Sequence, residues 1–395
     1  IQGMTAAAIE GYLRALKITI QERDDRVEVE TRRPSVEPRL LSQTTVDLDV
    51  SLPPGIPVEV SNTFGDLDAE GVGGLKATAP WGALNVRKVA GDVWLEGKNG
   101  KVTVSDVRGD VTVTHSSQDV EVTRVGGSLT VVNQFAQVRV QGVGGRAVVK
   151  NRGGPISVTN VGQGAEVSCQ SGQVQLNRVR GDLSVRNSGD SVSVVDSGGT
   201  VVIENANGRV VARQIGGDLK VDNRYGEVEV EGVAGKLTAE NRNSPMRVRG
   251  VKGSATLSNS HGVIQVDGVD GDCNIRNEFA SVMVQNVLGG LEVFNAWGLV
   301  QADLPNQAGA EAPAAWKLRT THSNVVLGVP PRAACVLNIA VTTGSIESQI
   351  PLKVEREGNT RTGTATLNGG GRVVEITVDL GMASVQKRSA PPARK

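Results

Sequence analysis

Aromatic side chains are rare in this sequence: four Trp, two Tyr and four Phe make up 3% of its 395 residues. Glycine, in contrast, is abundant, with 49 residues. Because few large rings are available to fill a thick core, this composition favours a thin core of small aliphatic side chains with glycine at the turns.

Other absences exclude whole classes of function. No apolar run approaches the roughly 18 residues that a membrane-spanning helix requires. Lys+Arg and Asp+Glu are equal at 42 each, and no basic patch is evident, which argues against nucleic-acid binding. The three histidines, His115, His261 and His322, share no spacing typical of a metal site. We therefore expect no metal, no other cofactor and no nucleic-acid partner.

The main feature of the sequence is a strict nine-residue repeat. Stepping nine residues at a time from Gly73 to Gly298 gives 26 consecutive units without an insertion or deletion. The residues two and four positions after each opening residue are apolar in all 26 units. A repeat this regular is the strongest available indicator of fold and outranks local signals.

Two kinds of unit alternate, so the full period is a pair of units. Towards its end the first kind, as in 217–225, carries an Asn (Asn223), and the second, as in 226–234, carries an apolar residue (Val233). In successive units these residues form an Asn ladder and an apolar ladder. We expect the Asn ladder to form a structural corner. Its members are Asn133, Asn151, Asn187, Asn205, Asn223, Asn241, Asn259, Asn277 and Asn295.

Each unit reads as a short strand with one buried face, because apolar and polar residues alternate within it. An antiparallel meander of 26 such strands would leave an apolar face uncovered. A parallel β-solenoid of about 18 residues per coil closes its own core, and it explains the absent insertions, since one extra residue would turn a strand inside out. The sequence therefore predicts an all-β, right-handed parallel β-solenoid. We expect two broad faces, or three if the apolar corner forms its own. Thirteen coils would extend roughly 60 Å at the usual strand spacing.

The repeat resembles that of the adhesin-type β-helix domain of unknown function found in bacterial cell-envelope proteins. The segment 45–55, followed by Val58-Glu59-Val60 and Gly65-Asp66-Leu67, is also similar to the N-terminal segment of that family. The resemblance spans roughly residues 44–385. It implies an extracytoplasmic location, but it carries over no catalytic or binding residues. Since the sequence starts at Ile1 without Met, we expect a signal or anchor upstream.

The remaining sequence is divided by prolines and by changes in pattern. We expect a helix over 5–16 and strands over 16–21, 26–31 and 45–50, with Ile9, Leu13, Leu16, Ile18 and Ile20 covering the first coil. The predicted organisation is an N-terminal cap of a helix plus a strand pair (1–44), an initial strand and irregular first coils (45–72), the regular solenoid (73–306), a linker (307–315), C-terminal coils and a cap (316–383), and a disordered tail (384–395).

Catalysis is not expected, because β-helix lyases and hydrolases cluster carboxylates and basic residues beside long loops. Here the coils carry no insertions, and the Asp residues that follow opening glycines form only a loose ladder. Turns favour Asp for local hydrogen bonding, so we interpret these residues as structural.

One pattern remains as a candidate surface. Five aromatic residues and His261 occupy the last position of the first kind of unit, so they fall on one edge of the rod: Trp81, Phe135, Tyr225, His261, Phe279 and Trp297. These rings are either a stacking strip for sugars or a partner, or plugs over the corner that shield the Asn ladder.

The sequence therefore predicts a non-catalytic structural or adhesive cell-envelope solenoid with an elongated interaction surface. Two alternatives stay open: a glycan-binding or glycan-cleaving β-helix, and a self-associating scaffold. We expect a monomer or weak dimer whose partner is a protein or glycan surface.

Overall fold

The computed structural model describes residues 6–32, 46–306 and 314–388. The chain divides into two compact units, Ile1–Pro53 and Pro54–Lys395. Among the described residues, no helix has the length and apolar character needed to cross a bilayer.

The first unit contains one helix and one hairpin within its described part. Helix α1 spans Ala6–Ala15, and strands β1 (Lys17–Glu22) and β2 (Val27–Arg32) pair antiparallel, in agreement with the expected helix and strand pair. Leu13, Ile18 and Ile20 are each more than half exposed. Their predicted role in covering the first coil stays a prediction.

The predicted strand over residues 45–50 is wrong for the part that is described. Residues 46–50 have no regular secondary structure, and Leu48 and Val50 are about half exposed. Thr45 lies outside the described residues. Alternating apolar residues form a strand only where a neighbouring strand satisfies the backbone N–H and C=O groups, and no strand in the described part of the chain pairs with residues 46–50.

The second unit is a parallel β-solenoid of about 14 turns, as predicted. Its regular strands are β3 (Pro57–Ser61), β4 (Leu67–Glu70), β5 (Gly74–Trp81), β6 (Leu84–Val89), β7 (Val93–Asn99), β8 (Val102–Val107), β9 (Val111–Thr114), β10 (Val120–Val125), β11 (Leu129–Asn133), β12 (Val138–Val143), β13 (Ala147–Gly153), β14 (Ile156–Val161), β15 (Ala165–Ser171), β16 (Val174–Val179), β17 (Leu183–Asn187), β18 (Val192–Ser197), β19 (Val201–Asn207), β20 (Val210–Ile215), β21 (Leu219–Tyr225), β22 (Val228–Val233), β23 (Leu237–Asn241), β24 (Met246–Val251), β25 (Ala255–Asn259), β26 (Ile264–Val269), β27 (Cys273–Asn277), β28 (Val282–Val287), β29 (Leu291–Asn295) and β30 (Val300–Asp303).

Each strand pairs in parallel with the strand two further along, so odd-numbered and even-numbered strands form two ladders. The regular coils pair with an offset of one full period, for example Val221 with Ala239 and Val230 with Val248. The offset of the first coil is shorter by a single position, as Pro57 pairs with Gly74. The apolar positions of the regular coils form one continuous buried core. The handedness of the solenoid stays a prediction.

The even-numbered strands bend just before their last apolar residue. At this position φ is positive in 12 successive coils, from Lys88 (55°) to Asn286 (57°). The bend turns the following residue, such as Val107 or Val125, into the core. The apolar ladder is therefore a bend within one of the two strand ladders. A left-handed conformation costs a non-glycine residue roughly 1–2 kcal/mol, so core packing must override local preference at Lys88 and Arg124.

The C-terminal strands continue the stack, but their order in space differs from their order along the chain. They are β31 (Trp316–His322), β32 (Val325–Val329), β33 (Cys335–Ser348), β34 (Lys353–Glu357), β35 (Thr360–Leu367) and β36 (Arg372–Lys387). Strand β36 pairs in parallel with β31 and β32 on one edge and with β33 on the other. Beyond β33 the pairing becomes antiparallel, first with β35 and then from β35 to β34.

The predicted start of the tail at residue 384 is wrong. Strand β36 runs to Lys387, and Val385 is buried opposite Leu327 of β32, so residues 384–387 belong to the stack. The N-terminal boundary of the tail was misplaced because nothing in the repeat indicates a partner for this segment. Residues 389–395 lie outside the described residues, as do residues 307–313 of the predicted linker.

Candidate functional site

The corner that carries the aromatic residues is built around the Asn ladder. All nine asparagines are buried. Their Nδ2 groups donate to backbone carbonyls that close the turn, as Asn223 does to Gly226 O at 2.8 Å. Some also bond between coils, as Asn205 Nδ2 does to Asn223 Oδ1 at 3.1 Å. Because buried carbonyls need a donor, these amides hold the corner shut.

Two positions of the Asn ladder hold another residue, Cys169 or His115, that still hydrogen-bonds to the backbone of the corner. The thiol of Cys169 lies 3.6 Å from Gly154 O and 3.7 Å from Gly172 O, the same contacts an Asn amide makes. His115 is buried, and its Nε2 accepts the backbone N–H of Gln118 at 3.3 Å. Burial lowers the pKa of His115 and raises that of Cys169.

Glycine one coil earlier makes room for the His115 ring. A Cβ at Gly97 would lie 2.9 Å from His115 Nδ1, which is closer than side-chain atoms normally approach. The pair of Gly97 and His115 therefore replaces two standard members of the corner with one small and one large residue.

The aromatic residues lie on the outside of this corner. Trp81, Phe135, Tyr225, Phe279 and Trp297 are each about half exposed, between 48% and 56%. Their shared register means that each ring occupies the same position on its coil, at a spacing of about 4.8 Å per coil. These positions share one edge, but the rings on it are not continuous.

The rings form a dense group only at the C-terminal end. His261 and Phe279 stack with centroids 4.9 Å apart, and Trp297 and His322 stack at 3.9 Å. His322 is in register because Asn295 pairs with Thr320, and Leu380 follows because it pairs with His322. We call His261, Phe279, Trp297, His322 and Leu380 the C-terminal strip. It occupies five successive coils, and all five side chains are exposed.

His322 and Leu380 were missed by sequence reasoning. The step from Leu291 to its partner Trp316 is longer than one period of the repeat, so counting in nines loses the register. Leu380 joins the strip only because β36 pairs beside β31, which no local pattern indicates. The one available signal was the motif Thr321-His322, which repeats Ser260-His261.

Elsewhere the rings of the edge are separate. At the N-terminal end Phe64 and Trp81 are bridged through their backbones. The Phe135 ring packs over the next coil, where a Cβ at Gly153 would lie 3.5 Å from its Cδ1. Tyr225 has Asn207 beside it in one neighbouring coil. The register therefore does not bring all six predicted strip residues together.

The Asp residues that follow opening glycines have a structural role that differs from the one expected. Their Oδ1 atoms accept a backbone N–H from the next coil rather than from their own turn. Asp182 accepts from Thr200 at 2.9 Å, Asp218 from Lys236 at 2.8 Å and Asp272 from Gly290 at 2.8 Å. A carboxylate committed to the backbone in this way is a poor candidate for a general acid or base.

Some charged side chains on the outside of the solenoid pair between coils. Arg124 donates to Asp106, and this hydrogen bond lowers the pKa of the Asp106 carboxyl. Glu229 accepts from Arg213 and Arg209, which lowers its pKa for the same reason. Solvent screens exposed pairs of this kind, so they tie neighbouring coils only weakly.

One depression lies on the outside of the described coils. It extends over β24 to β30, and polar side chains such as Arg249, Asp267 and Gln285 line it. Within residues 6–32, 46–306 and 314–388, no group of three or more His, Cys, Asp or Glu side chains is arranged to hold a metal ion. Comparisons of the chain with protein-family models, curated proteins and solved structures found no match.

Proposed function

We propose that the chain is a non-catalytic structural or adhesive solenoid of the bacterial cell envelope, and that the C-terminal strip is its main contact surface. The observation that carries this proposal is a difference between two parts of the surface, namely the charged faces and the C-terminal strip. Many charged outward residues are paired between coils, as Arg186 is with Glu204, whereas the strip exposes adjacent apolar and aromatic side chains to solvent. Contiguous exposed apolar surface is typical of interaction sites.

The absence of catalysis is part of the proposal. It is supported by the insertion-free coils and by the commitment of Asp182, Asp218 and Asp272 to backbone N–H groups. Purified full-length protein is expected to leave pectin, alginate and other uronic-acid polymers intact, with or without calcium. Turnover that is abolished by a single Asp→Asn change would show that the solenoid is an enzyme.

The location and the adhesive role derive from the family resemblance together with the exposed strip. They are tested by sedimenting the labelled full-length chain with isolated bacterial cell envelopes, before and after protease digestion of the envelopes. Phe279→Ala combined with Trp297→Ala should reduce the bound fraction at least fivefold. Phe294→Ala is the matched control, because Phe294 is exposed but points outward from a strand face rather than from the edge.

Two outcomes would contradict the adhesive role. Either the wild-type chain does not bind envelopes at all, or the strip variant binds as well as the wild type. Survival of binding after protease digestion would indicate a glycan rather than a protein as the partner.

Glycan binding is a second candidate, and Tyr225 is the residue that favours it. Its neighbours in the edge are Asn207 and Asn243, so no aromatic ring stacks on either side of it, and it is about half exposed. A free ring beside amide groups is a common platform for sugars. Titration of cell-wall oligosaccharides against wild type and Tyr225→Phe or Tyr225→Ala tests it: loss of binding in the Ala variant alone is the expected result.

A further inference from the structure

The C-terminal strip has a nearly symmetric order along the rod. Its two stacked pairs are His261 with Phe279 and Trp297 with His322, so that histidine is the outer member of both. A hydroxyl accompanies each histidine: Ser260 Oγ lies 3.2 Å from His261 Nδ1, and Thr321 Oγ1 lies 3.2 Å from His322 Nδ1. Reversing the direction of the two pairs therefore leaves their chemistry almost unchanged.

Stacking within the strip restricts what can bind to it. In each pair one face of every ring is covered by its neighbour, at centroid distances of 4.9 and 3.9 Å. A sugar or another planar group inserted between two rings would need roughly twice a contact distance of about 3.5–4.0 Å. The pairs therefore present mainly ring edges, which suits lateral packing of side chains better than stacking of a sugar.

The spacing of the strip favours a partner whose side chains repeat at the same interval. Its side chains repeat once per coil, at about 4.8 Å. An extended strand presents side chains on one face at about 6.6 Å, and a helix repeats each turn at about 5.4 Å, so either loses step within a few positions. A second strip of the same kind has the same spacing and stays in step from His261 to His322.

We propose that the C-terminal strip packs against the same strip of a second copy of this chain, antiparallel, about a two-fold axis between Phe279 and Trp297. This pairing rests on the proposed function, in which the strip is an interaction surface. It places Phe279 opposite Trp297 and His261 opposite His322. A closed two-fold contact of this kind makes a dimer and does not continue into a filament.

One pair of charges beside the strip, Arg242 and Asp379, agrees with the antiparallel direction. Arg242 lies next to the edge two and a half coils before the axis, and Asp379 lies two and a half coils after it, so the two face each other between copies. Within one molecule the two lie five coils apart, roughly 24 Å at the strand spacing, so they do not pair there. Their partners in the same molecule are Glu240, at 3.2 Å from Arg242, and Arg319, at 3.7 Å from Asp379. Both side chains remain accessible, at 52% for Arg242 and 39% for Asp379, so each can also contact a second copy.

The dimer is weak, because the strip is one side chain wide. A standard stable interface uses about 20–30 residues from each partner, and the strip with its flanking residues offers fewer. Dimerisation is therefore expected to depend on concentration and to be lost on dilution.

Sedimentation velocity of the full-length chain from about 1 to 500 μM tests the pairing. The wild-type sedimentation coefficient should rise with concentration, and Phe279→Ala combined with Trp297→Ala should raise the dimer Kd at least tenfold. Phe135→Ala is the matched control, because Phe135 is equally exposed on the same edge but outside the strip. Circular dichroism melts check that each variant is folded.

Charge reversal tests the direction of the contact. Arg242→Asp and Asp379→Arg should each raise the Kd about tenfold, because the two-fold creates two like-charge contacts in place of two attractive ones. The double reversal should restore the Kd to within about threefold of wild type. Single variants without effect, or a double variant weaker than both, would overturn the antiparallel pairing.

The envelope-binding experiment separates this inference from the proposed function. A wild-type chain that stays monomeric at 500 μM, while the strip variant still loses envelope binding, would overturn self-pairing and keep the strip as a surface for another partner. Strip-dependent dimers without envelope binding would support self-pairing and contradict the adhesive role. Filaments that grow with concentration would overturn the closed two-fold dimer.

Discussion

The regular coils and the C-terminal coils differ in the order in which their strands pair. In β5 to β30 each strand pairs with the strands of the coils before and after it, so order along the chain equals order in space. In the C-terminal region the last strand, β36, lies between β31 and β33, although β32 to β35 separate it from β31 along the chain. Regular coils thus depend on their neighbours in sequence, whereas the C-terminal stack depends on β36, which is distant from β31 in sequence.

The cores differ as well. The regular core contains mostly Val, Leu, Ile and Ala, but the C-terminal coils bury Trp316 completely and Arg372 almost completely. The guanidinium of Arg372 donates to the carbonyls of Leu288, Gly289 and Ala314, and Trp316 Nε1 donates to Gly289 O at 3.1 Å. These bonds lie where the regular period ends. A break in the repeat leaves carbonyls without their usual coil partners, and side chains satisfy them instead.

The largest effect is expected from removing residues 372–395. Loss of β36 leaves β31, β32 and β33 with unpaired edges and removes the Arg372 contacts, so the truncated chain should aggregate. Size-exclusion chromatography with light scattering measures this, with a chain ending at Arg388 as the control. A truncated chain as soluble as that control would mean that β36 does not hold the end together.

The matched change in the regular region should be tolerated. Deleting residues 217–234 removes one complete coil and joins Gly216 to Gly235 with the repeat in register. Because stability of a solenoid is approximately a sum over repeats and their interfaces, the fold should survive with a lowered melting temperature. Collapse of this variant to an unfolded chain would contradict the independence of regular coils.

A large effect is also expected from Val230→Asp. Val230 is 1% exposed and pairs with Ala212 and Val248 in adjacent coils. The change buries a carboxylate without a partner and should cost about 3–5 kcal/mol of unfolding free energy. Val230→Thr, which keeps the shape, should be far milder, and equal denaturant midpoints for the two would contradict the inward orientation.

A smaller effect is expected at the ladder. Asn223→Ala removes donors to Gly226 O and Asn241 Oδ1, and the acceptor for Asn205 Nδ2, at a cost of about 1–3 kcal/mol. Cys169→Asn should be neutral or slightly stabilising, because an amide suits the same carbonyls. Urea unfolding of both variants measures the difference. A strongly destabilising Cys169→Asn would mean that Cys169 has a role outside the ladder.

The smallest effect concerns pH. Burial holds the folded-state pKa of His115 below its unfolded value of about 6.5, so the unfolded chain binds a proton more readily. The stability that neutral His115 contributes is thus present above pH 6.5 and is lost as the pH falls through and below that value. Between pH 7.5 and 5.5, the unfolding free energy of the His115→Asn variant should fall by less than that of the wild type. Carboxylates titrate in both proteins, so identical losses would exclude His115 as the cause.

Much of the candidate site could be predicted from the repeat. Because identical positions stack in every coil, the repeat placed Phe279 and Trp297 on one edge and Asn223 and Asn241 in one corner. It did not predict the stacking of His322 on Trp297, since the longer step to β31 breaks the count. Nor did it predict that Asp218 bonds to the next coil, because a turn residue and a cross-coil acceptor have the same sequence signature.

The parallel solenoid, its period and the inward and outward orientation of the residues in each regular strand all follow from the pattern of residues alone. A strict repeat of this length leaves one register in which every apolar side chain is buried. Three features were decided only by the tertiary structure: the left-handed bend at Lys88 and Arg124, the insertion of β36 between β31 and β33, and the position of Leu380 in the strip. The local backbone preference of Lys and Arg disfavours the bend. The insertion of β36 and the position of Leu380 depend on contacts between residues far apart in the chain, and a repeat that relates only neighbouring coils carries no information about such contacts.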